Sequence, residues 1–534
     1  MQQTSFSRAV VEQGQDNQFA ALVLALALVT GAVARFFPTL MAGFPINDGG
    51  MFAVMVDDLR ASAYALPVFT SYNLDSLPYA YPPLGFYLGR ILADLTGWNS
   101  VEVARWLPAF FASLAVGAFY LLAVRLLPAR LHAALATLFF ALTPRAFSWF
   151  VEGGGITRSP AQFFMLLTFA SVVELYRRGR RRDILWSGLW GALTVLSHPE
   201  AAVHTAFSCL LFWFMLGRSR QSFLHSVGVA GLVALLSAPW WVTVLARHGL
   251  ETILAAASTG QKWLALLHLL FFYFTEEPYA TLTAVLGLVG LARQVACREW
   301  LLPLWLVLPF IVEGRSAHLP AVIPLSMLAA IAVLNVVFAA LRTIQSGDVV
   351  VVQPRYGVTP TEQGIFFYLF LYLLFSSLVF GVQISSARVY EGDQVALGWI
   401  RENTPPEARF LVLTGSRSVS YDPLPEWFPA LAGRHSVYTV QGLEWVAGES
   451  FSVAVRNAAR AQDCLSVSAA CVLESIQNTP VDYIYISRFL HTENFAPLDP
   501  PRAFPYVEAG LRQEERLRLV YESEDALVFE VVKR

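Results

Sequence analysis

"INDGGMF", Ile46–Phe52, follows directly on a long apolar run and puts an acid and two glycines where a membrane helix should end. Whether this stretch only stops a helix, or begins a site at a membrane face, decides how the chain is read. The run before it, residues 19–40, is long enough to cross the hydrocarbon, which takes about 20 mostly apolar residues. Comparable runs lie near 105–127, 131–149, 160–176, 184–201, 202–217, 223–245, 279–296, 300–313, 319–341 and 364–384. Together they predict an α-helical polytopic membrane protein of about eleven spans. Composition agrees: the 534 residues are 56% hydrophobic and 14% charged, with 39 Phe and 14 Trp, whereas a soluble chain is roughly a quarter charged. "AVA", Ala32–Ala34, mimics a signal-peptidase site, but the run is long for a signal peptide and reads as an uncleaved first span. "WLALLHLLFFYF", Trp263–Phe274, is too short to cross and reads as part of an interfacial or re-entrant pair. The net charge of -2 says little about partners, but no basic region is dense enough to suggest nucleic acid.

Arginine sets the expected orientation. "RRGRRR", Arg177–Arg182, is the densest positive cluster, and short positive loops stay in the cytoplasm. Arg218 and Arg220 fall two spans later on the same side, and Arg125, Arg130, Arg293, Arg298 and Arg342 also come out inside. An odd number of spans then places the N-terminus in the cytoplasm of a multi-pass protein of the cytoplasmic membrane. The loop 41–104, and Asp48 with it, lies outside. Residues 1–384 read as the transmembrane domain and 385–534 as a second domain outside the membrane, with 343–363 a cytoplasmic connector. After 384 the charges rise and the long apolar runs stop. "QVALGWIRENTP" predicts a helix stopped by proline, and "RFLVLTG" and "VDYIYIS" predict buried strands. "RLRLVYESEDALVFEVV" predicts a terminal hairpin, so this is an α/β domain. Cys209 and Cys297 read as small buried residues. Cys464 and Cys471 are close enough to bridge if their domain is outside the cytoplasm.

The outer loops hold the unusual chemistry. In "NDGGMFAVMVDDLRAS", Met51, Val54, Met55 and Leu59 share a helical face, which predicts a helix lying along the interface. Asp48 could be its N-cap, or an acid facing a cavity beside two glycines that let the backbone turn sharply or approach a ligand. "SWFVEGGGITRSP", Ser148–Pro160, brackets Gly153, Gly154 and Gly155 with Glu152 and Arg158. Free glycine N–H groups can cradle an anion, and Arg158 offers a planar fork that fits phosphate. "SHPEAAVH", Ser197–His204, matches no established zinc spacing and reads as ordinary polar tip residues rather than ligands. "FTEEPY" puts Glu276 and Glu277 at the outer surface. "VEGRSAHLPAVIPL", Val312–Leu325, puts Arg315 and His318 at another outer turn, suited either to a phosphate arriving from the lipid side or to snorkelling. Within the apolar runs the reading finds few charges, Arg145 and Glu174, and that scarcity argues against a transporter.

With these residues in view, the chain resembles the GT-C superfamily of membrane glycosyltransferases, which includes protein O-mannosyltransferases, aminoarabinose transferases and oligosaccharyltransferase catalytic subunits. The resemblance rests on Asp48 directly after the first span, Glu152 in "EGGGITR" after the third, the proline-containing "YPPLGFYL" at Tyr81–Leu88, the basic turn "GRSAHLPAVIP", and the C-terminal domain. The chain departs from the superfamily in two places. The first-loop acid is not part of a paired Asp–Glu motif, and the oligosaccharyltransferase "WWD" motif is absent. The resemblance implies transfer of a sugar from a polyprenyl-phosphate donor to a lipid, glycan or protein acceptor at the outer face, by a single inverting displacement. In that frame Asp48 is the base and Glu152 orients the acceptor. Arg158, Arg315 and His318 meet the phosphate, and Gly153, Gly154, Gly155 and Tyr81 belong to the binding surface. No cofactor is required; a divalent cation, Mg²⁺ or Mn²⁺, would take Asp48 and Glu152 as oxygen ligands. The alternative is a non-catalytic glycolipid-binding protein of the same fold.

Overall fold

A computed structural model describes residues 2–74, 76–258, 281–346, 358–419, 422–489 and 504–532. Trp263–Phe274, Glu276 and Glu277 lie outside the described residues. Each predicted apolar run is helical where described: α1 (Gln2–Ala42), then, after α2 (Gly50–Ala61) and α3 (Leu84–Thr96) in the long first loop, α4 (Ser100–Leu126) and α5 (Arg130–Leu142). A single turn α6 (Ser148–Val151) leads into α7 (Gly155–Arg178), α8 (Arg181–Val195), α9 (Pro199–Leu216) and α10 (Arg220–Ser258). There follow α11 (Leu282–Ala296), α12 (Leu301–Val312), α13 (His318–Ala332), α14 (Phe338–Ser346) and α15 (Pro360–Ile384). Among the described residues, seven helices are long and apolar enough to cross a membrane, or up to eight if α11 and α12, bent by 119° at the break between them, form one span. The count of about eleven counted apolar runs rather than lengths. The run at 131–149 is cut at Pro144, which leaves α5 at 13 residues, and α8 has only 15.

Helices α1, α4, α5, α7, α13 and α15 surround one apolar core of Ala, Leu and Phe side chains. Arg35 lies inside it, a charge additional to Arg145 and Glu174. Its guanidinium donates to the Gly31 and Ala141 carbonyls at 3.0 and 2.7 Å and stands over the rings of Phe140 and Phe147. Ala141 is in the last turn of α5, whose carbonyls have no partner within their own helix; Arg35 supplies one from the neighbouring span.

The C-terminal segment forms α16 (Glu391–Asn403), α17 (Pro423–Ala432) and a five-stranded sheet. After the first-loop hairpin β1 (Phe69–Thr70) and β2 (Leu77–Pro78), the strands are β3 (Arg409–Leu413), β4 (His435–Ser436), β5 (Tyr483–Ser487), β6 (Leu517–Glu522) and β7 (Ala526–Val531), ordered β4-β3-β5-β7-β6. The first three are parallel, and β7 turns the sheet antiparallel, with Ile484 opposite Phe529. The helix, both strands and the hairpin lie where the sequence pattern predicts them. Cys464 and Cys471 form a disulfide. Of the two free cysteines, Cys209 is only partly buried and Cys297 is exposed, because Cys297 follows the last turn of α11 instead of facing a neighbour.

One face of the sheet does not have a core of its own. Phe410, Trp427, Phe428 and Tyr485 pack with Phe44, Met51, Met55, Leu59 and Tyr79 of the first loop. The apolar stripe of α2 is therefore covered by protein, not laid along lipid as the sequence suggested. Fully burying each such side chain contributes roughly 1.5–3 kcal/mol. This shared core seats the C-terminal segment directly on the turn that carries Asp48.

Candidate active site

That turn is built by two left-handed residues, Asn47 (φ 53) and Gly49 (φ 121). Asn tolerates this region and Gly enters it without strain. Gly49, not Asp48, is the N-cap of α2, and no side chain caps it. The Asp48 carboxylate crosses instead to the loop before α7. One oxygen accepts the Gly154 N–H at 2.9 Å and the other pairs with the Arg158 guanidinium. Gly154 and Arg158 open α7, so Asp48 sits at the positive end of a different helix from the one it precedes. Glu152 lies 3.6 Å from the same guanidinium and accepts from the Asn47 side-chain amide at 3.1 Å. Arg158 also donates to the Trp149 carbonyl at 3.0 Å and lies over the Trp149 ring. From Phe44 to Gly50, Asp48 is the one residue that is not buried, with 15% of its side chain exposed.

The glycines serve this approach. A Cβ on Gly49 would lie 2.6 Å from the Gly153 carbonyl carbon, and one on Gly153 or Gly154 would collide with Asp48. Their N–H groups are committed within the protein: Gly153 to Ile46, Gly154 to Asp48, Gly155 to Glu152. The anion cradled at "EGGG" is thus the Asp48 carboxylate.

Further loop residues assemble next to this centre. Tyr81 contacts the rings of Phe52, Phe86, His198 and Trp445, with centroids 4.9–6.1 Å away. Burial raises its hydroxyl well above the ordinary value, against the pull of Arg158. His198 is driven down to about 3, by burial first and then by Arg158 and Arg315, so its imidazole is neutral at every physiological pH. Glu200 lies 3.7 Å from Arg315, and His204 is 3.3 Å from Ser316, so the start of α9 meets the "EGRSAH" turn. Arg315 is half exposed (55%), and His318 opens α13 at its N-terminus.

The sequence reading missed the contribution of the C-terminal segment. Glu426, in the first turn of α17, accepts the Gly49 N–H at 2.8 Å. Burial and the neighbouring Asp48 raise its carboxyl to about 8, against Arg158. Glu444 is raised by burial, with Arg315 acting in the opposite sense. In "DPLPEWF" Glu426 looks like an ordinary first-turn acid, and nothing local points it at a residue 377 positions away. A guanidinium between the Asp48 and Glu152 carboxylates occupies the place a divalent cation would take. Among the described residues no three His, Cys, Asp or Glu side chains converge to hold a metal. The arrangement does not fit the cation, and no step below uses one.

The family model for dolichyl-phosphate-mannose-protein mannosyltransferases matches residues 80–242. No curated protein matches the chain. Solved structures share its fold. The archaeal oligosaccharyltransferase AglB from Archaeoglobus fulgidus, in complex with an inhibitory peptide and a dolichol-phosphate, is 16% identical with a TM-score of 0.58, over 88% of this chain and 69% of that one. ArnT from Cupriavidus metallidurans bound to undecaprenyl phosphate is 14% identical with a TM-score of 0.52, over 96% and 98%. Arabinofuranosyltransferase AftD from Mycobacteria is 15% identical with a TM-score of 0.55, over 95% of this chain and 40% of its own.

Proposed function

The chain has the fold of the GT-C superfamily, and on that premise we propose that it transfers a sugar from a polyprenyl-phosphate carrier to an acceptor hydroxyl at the extracytoplasmic face of the membrane. The observation that carries this reading is the Asp48 carboxylate, held at the start of α7 by Gly154 and Arg158 yet still open to solvent. The acceptor oxygen attacks the anomeric carbon, the bond from that carbon to the phosphate oxygen breaks, and the configuration inverts. Asp48 takes the acceptor proton, as a general base in hydrogen-bond reach can. Glu152 and Arg158 fix its orientation. Arg158 is engaged by two carboxylates and only 13% exposed, whereas Arg315, though paired with Glu200, is 55% exposed, so Arg315, with His318 and the N-terminus of α13, is the better match for the departing phosphate. Tyr81, close enough to feel the charges of Arg158 and of Glu200, the partner of Arg315, belongs to the same binding surface. The dolichol-phosphate and undecaprenyl phosphate held by AglB and ArnT belong to the carrier class proposed. The disulfide supports an extracytoplasmic C-terminal domain, since such bridges persist in oxidising compartments.

The test is transfer from a panel of radiolabelled polyprenyl-phosphate sugars in membranes containing the full chain and envelope acceptors. Asp48→Asn keeps the shape and should lower transfer by about 10²–10⁴-fold, the usual span of general-base catalysis. Wild-type rates in Asp48→Asn would remove Asp48 as the base. A wild-type protein that binds the carrier and transfers nothing would remove the enzyme reading.

A further inference from the structure

The Asp48 turn is held from two sides, and the second side is the C-terminal segment. The Trp427 indole N–H donates to the Asn47 carbonyl at 2.9 Å, and Glu426 accepts the Gly49 N–H at 2.8 Å. These bonds fall on the two peptide planes that meet at the Asp48 Cα: the carbonyl of the plane before it and the N–H of the plane after it. With both planes held, φ and ψ of Asp48 are set, and so is the direction in which its side chain leaves the backbone. The rest of the contact is close and backbone-led. Gly50 lies against the Glu426 carbonyl and the Trp427 Cα, with no room for a Cβ. The Tyr72 hydroxyl donates to the Glu426 carbonyl at 2.7 Å, and the rings of Phe44 and Trp427 meet edge to face at 4.9 Å. Trp427 is fully buried, so the indole has no solvent alternative for its N–H.

We propose that Glu426 and Trp427 are positioning residues for Asp48, which makes α17 of the C-terminal domain a working part of the transfer site rather than a separate acceptor-binding module. The inference rests on the reading of Asp48 as the base. It assigns the domain a role that sequence position conceals: docking of α17 onto the outer loop completes the geometry that α7 begins.

Two readouts test it in the full-length protein in lipid nanodiscs. Hydrogen exchange of the peptide covering Phe44–Phe52 reports the clamp without any activity; transfer kinetics from the polyprenyl-phosphate donor report its consequence. Glu426→Ala should raise exchange in that peptide about tenfold, the scale of one lost hydrogen bond. It should lower kcat by about 10–100-fold, as a misplaced group does, with donor KM within about threefold. Glu426→Gln keeps an acceptor oxygen for Gly49 and should restore both. Trp427→Phe, which keeps the aromatic packing and removes the N–H, should reproduce the exchange increase if Glu426→Ala does not fold. Unchanged exchange in both Glu426→Ala and Trp427→Phe would overturn the clamp. Raised exchange with unchanged kcat would keep the contact but overturn Glu426 and Trp427 as positioning residues, leaving the base assignment to Asp48→Asn. If wild type transfers no sugar, the functional reading fails while the exchange data still decide the clamp.

Discussion

At the residue scale, Asp48 and Arg158 form a partly buried pair, with 15% and 13% of their side chains exposed. Breaking such a pair leaves a charge uncompensated, and full burial would make this cost about 3–5 kcal/mol. Asp48→Ala should therefore destabilise the protein more than Asp48→Asn, which keeps an oxygen for the Gly154 N–H; thermal unfolding in detergent measures the difference. Gly154→Ala would drive a methyl into both partners and should cost about 1–3 kcal/mol, with loss of transfer. Gly117, inside α4 with open space around its missing Cβ, is the control: Gly117→Ala should stabilise by about 0.5–1 kcal/mol. Glu426 adds a pH dependence. Its carboxyl is raised from 4.5 to about 8, so the folded state holds the proton more tightly than the unfolded state. The stability it contributes is complete below its unfolded pKa and is lost as pH rises through about 8. Melting temperature should fall between pH 6 and 9 in wild type and fall less in Glu426→Gln; Asp422, raised by burial to about 7, continues to contribute in both.

At the scale of elements, the start of α7 and the start of α2 face each other, and three glycines allow the contact. The acid and the glycine run were both legible in the sequence as candidates. Their mutual arrangement was not, because Asp48 as N-cap of its own helix and Asp48 at another helix's N-terminus leave the same local pattern. The helix, strands and terminal hairpin of residues 391–532 were legible because period, alternation and proline stops are local signals. The Cys464–Cys471 bridge closes a short loop seven residues in separation, so its entropic worth is about 2–3 kcal/mol. It lies in the core on the sheet face opposite α17. Reduction should lower the melting temperature and leave transfer by the folded protein intact; a parallel loss of transfer would mean that the two faces of the sheet are coupled.

For the whole molecule, the prediction concerns orientation. Cys297 is exposed and the other free cysteine, Cys209, is only partly so, while the C-terminal pair is bridged. Cys297 adjoins Arg298 at a turn expected inside, so in intact cells it should react with a membrane-permeant maleimide and resist an impermeant one. Arg417→Cys, on the exposed side of the C-terminal domain, should react with both. The reverse pattern would invert the topology and place Asp48 in the cytoplasm.

The sequence by itself determined what this chain must be: apolar runs too numerous and too long for any other solvent, polar loops rich in acid, glycine and arginine, and a terminal stretch with its own strand pattern. These follow from composition and short-range periodicity, which depend only on neighbours along the chain. Tertiary structure alone decided three things. Arg158 spends its charge on Asp48 and Glu152; the glycines admit a loop rather than a phosphate; and Glu426 and Trp427 reach the Asp48 turn from about 380 residues away. Each depends on a distance between segments, and burial of a shared core sets that distance without leaving a mark on either segment's own pattern.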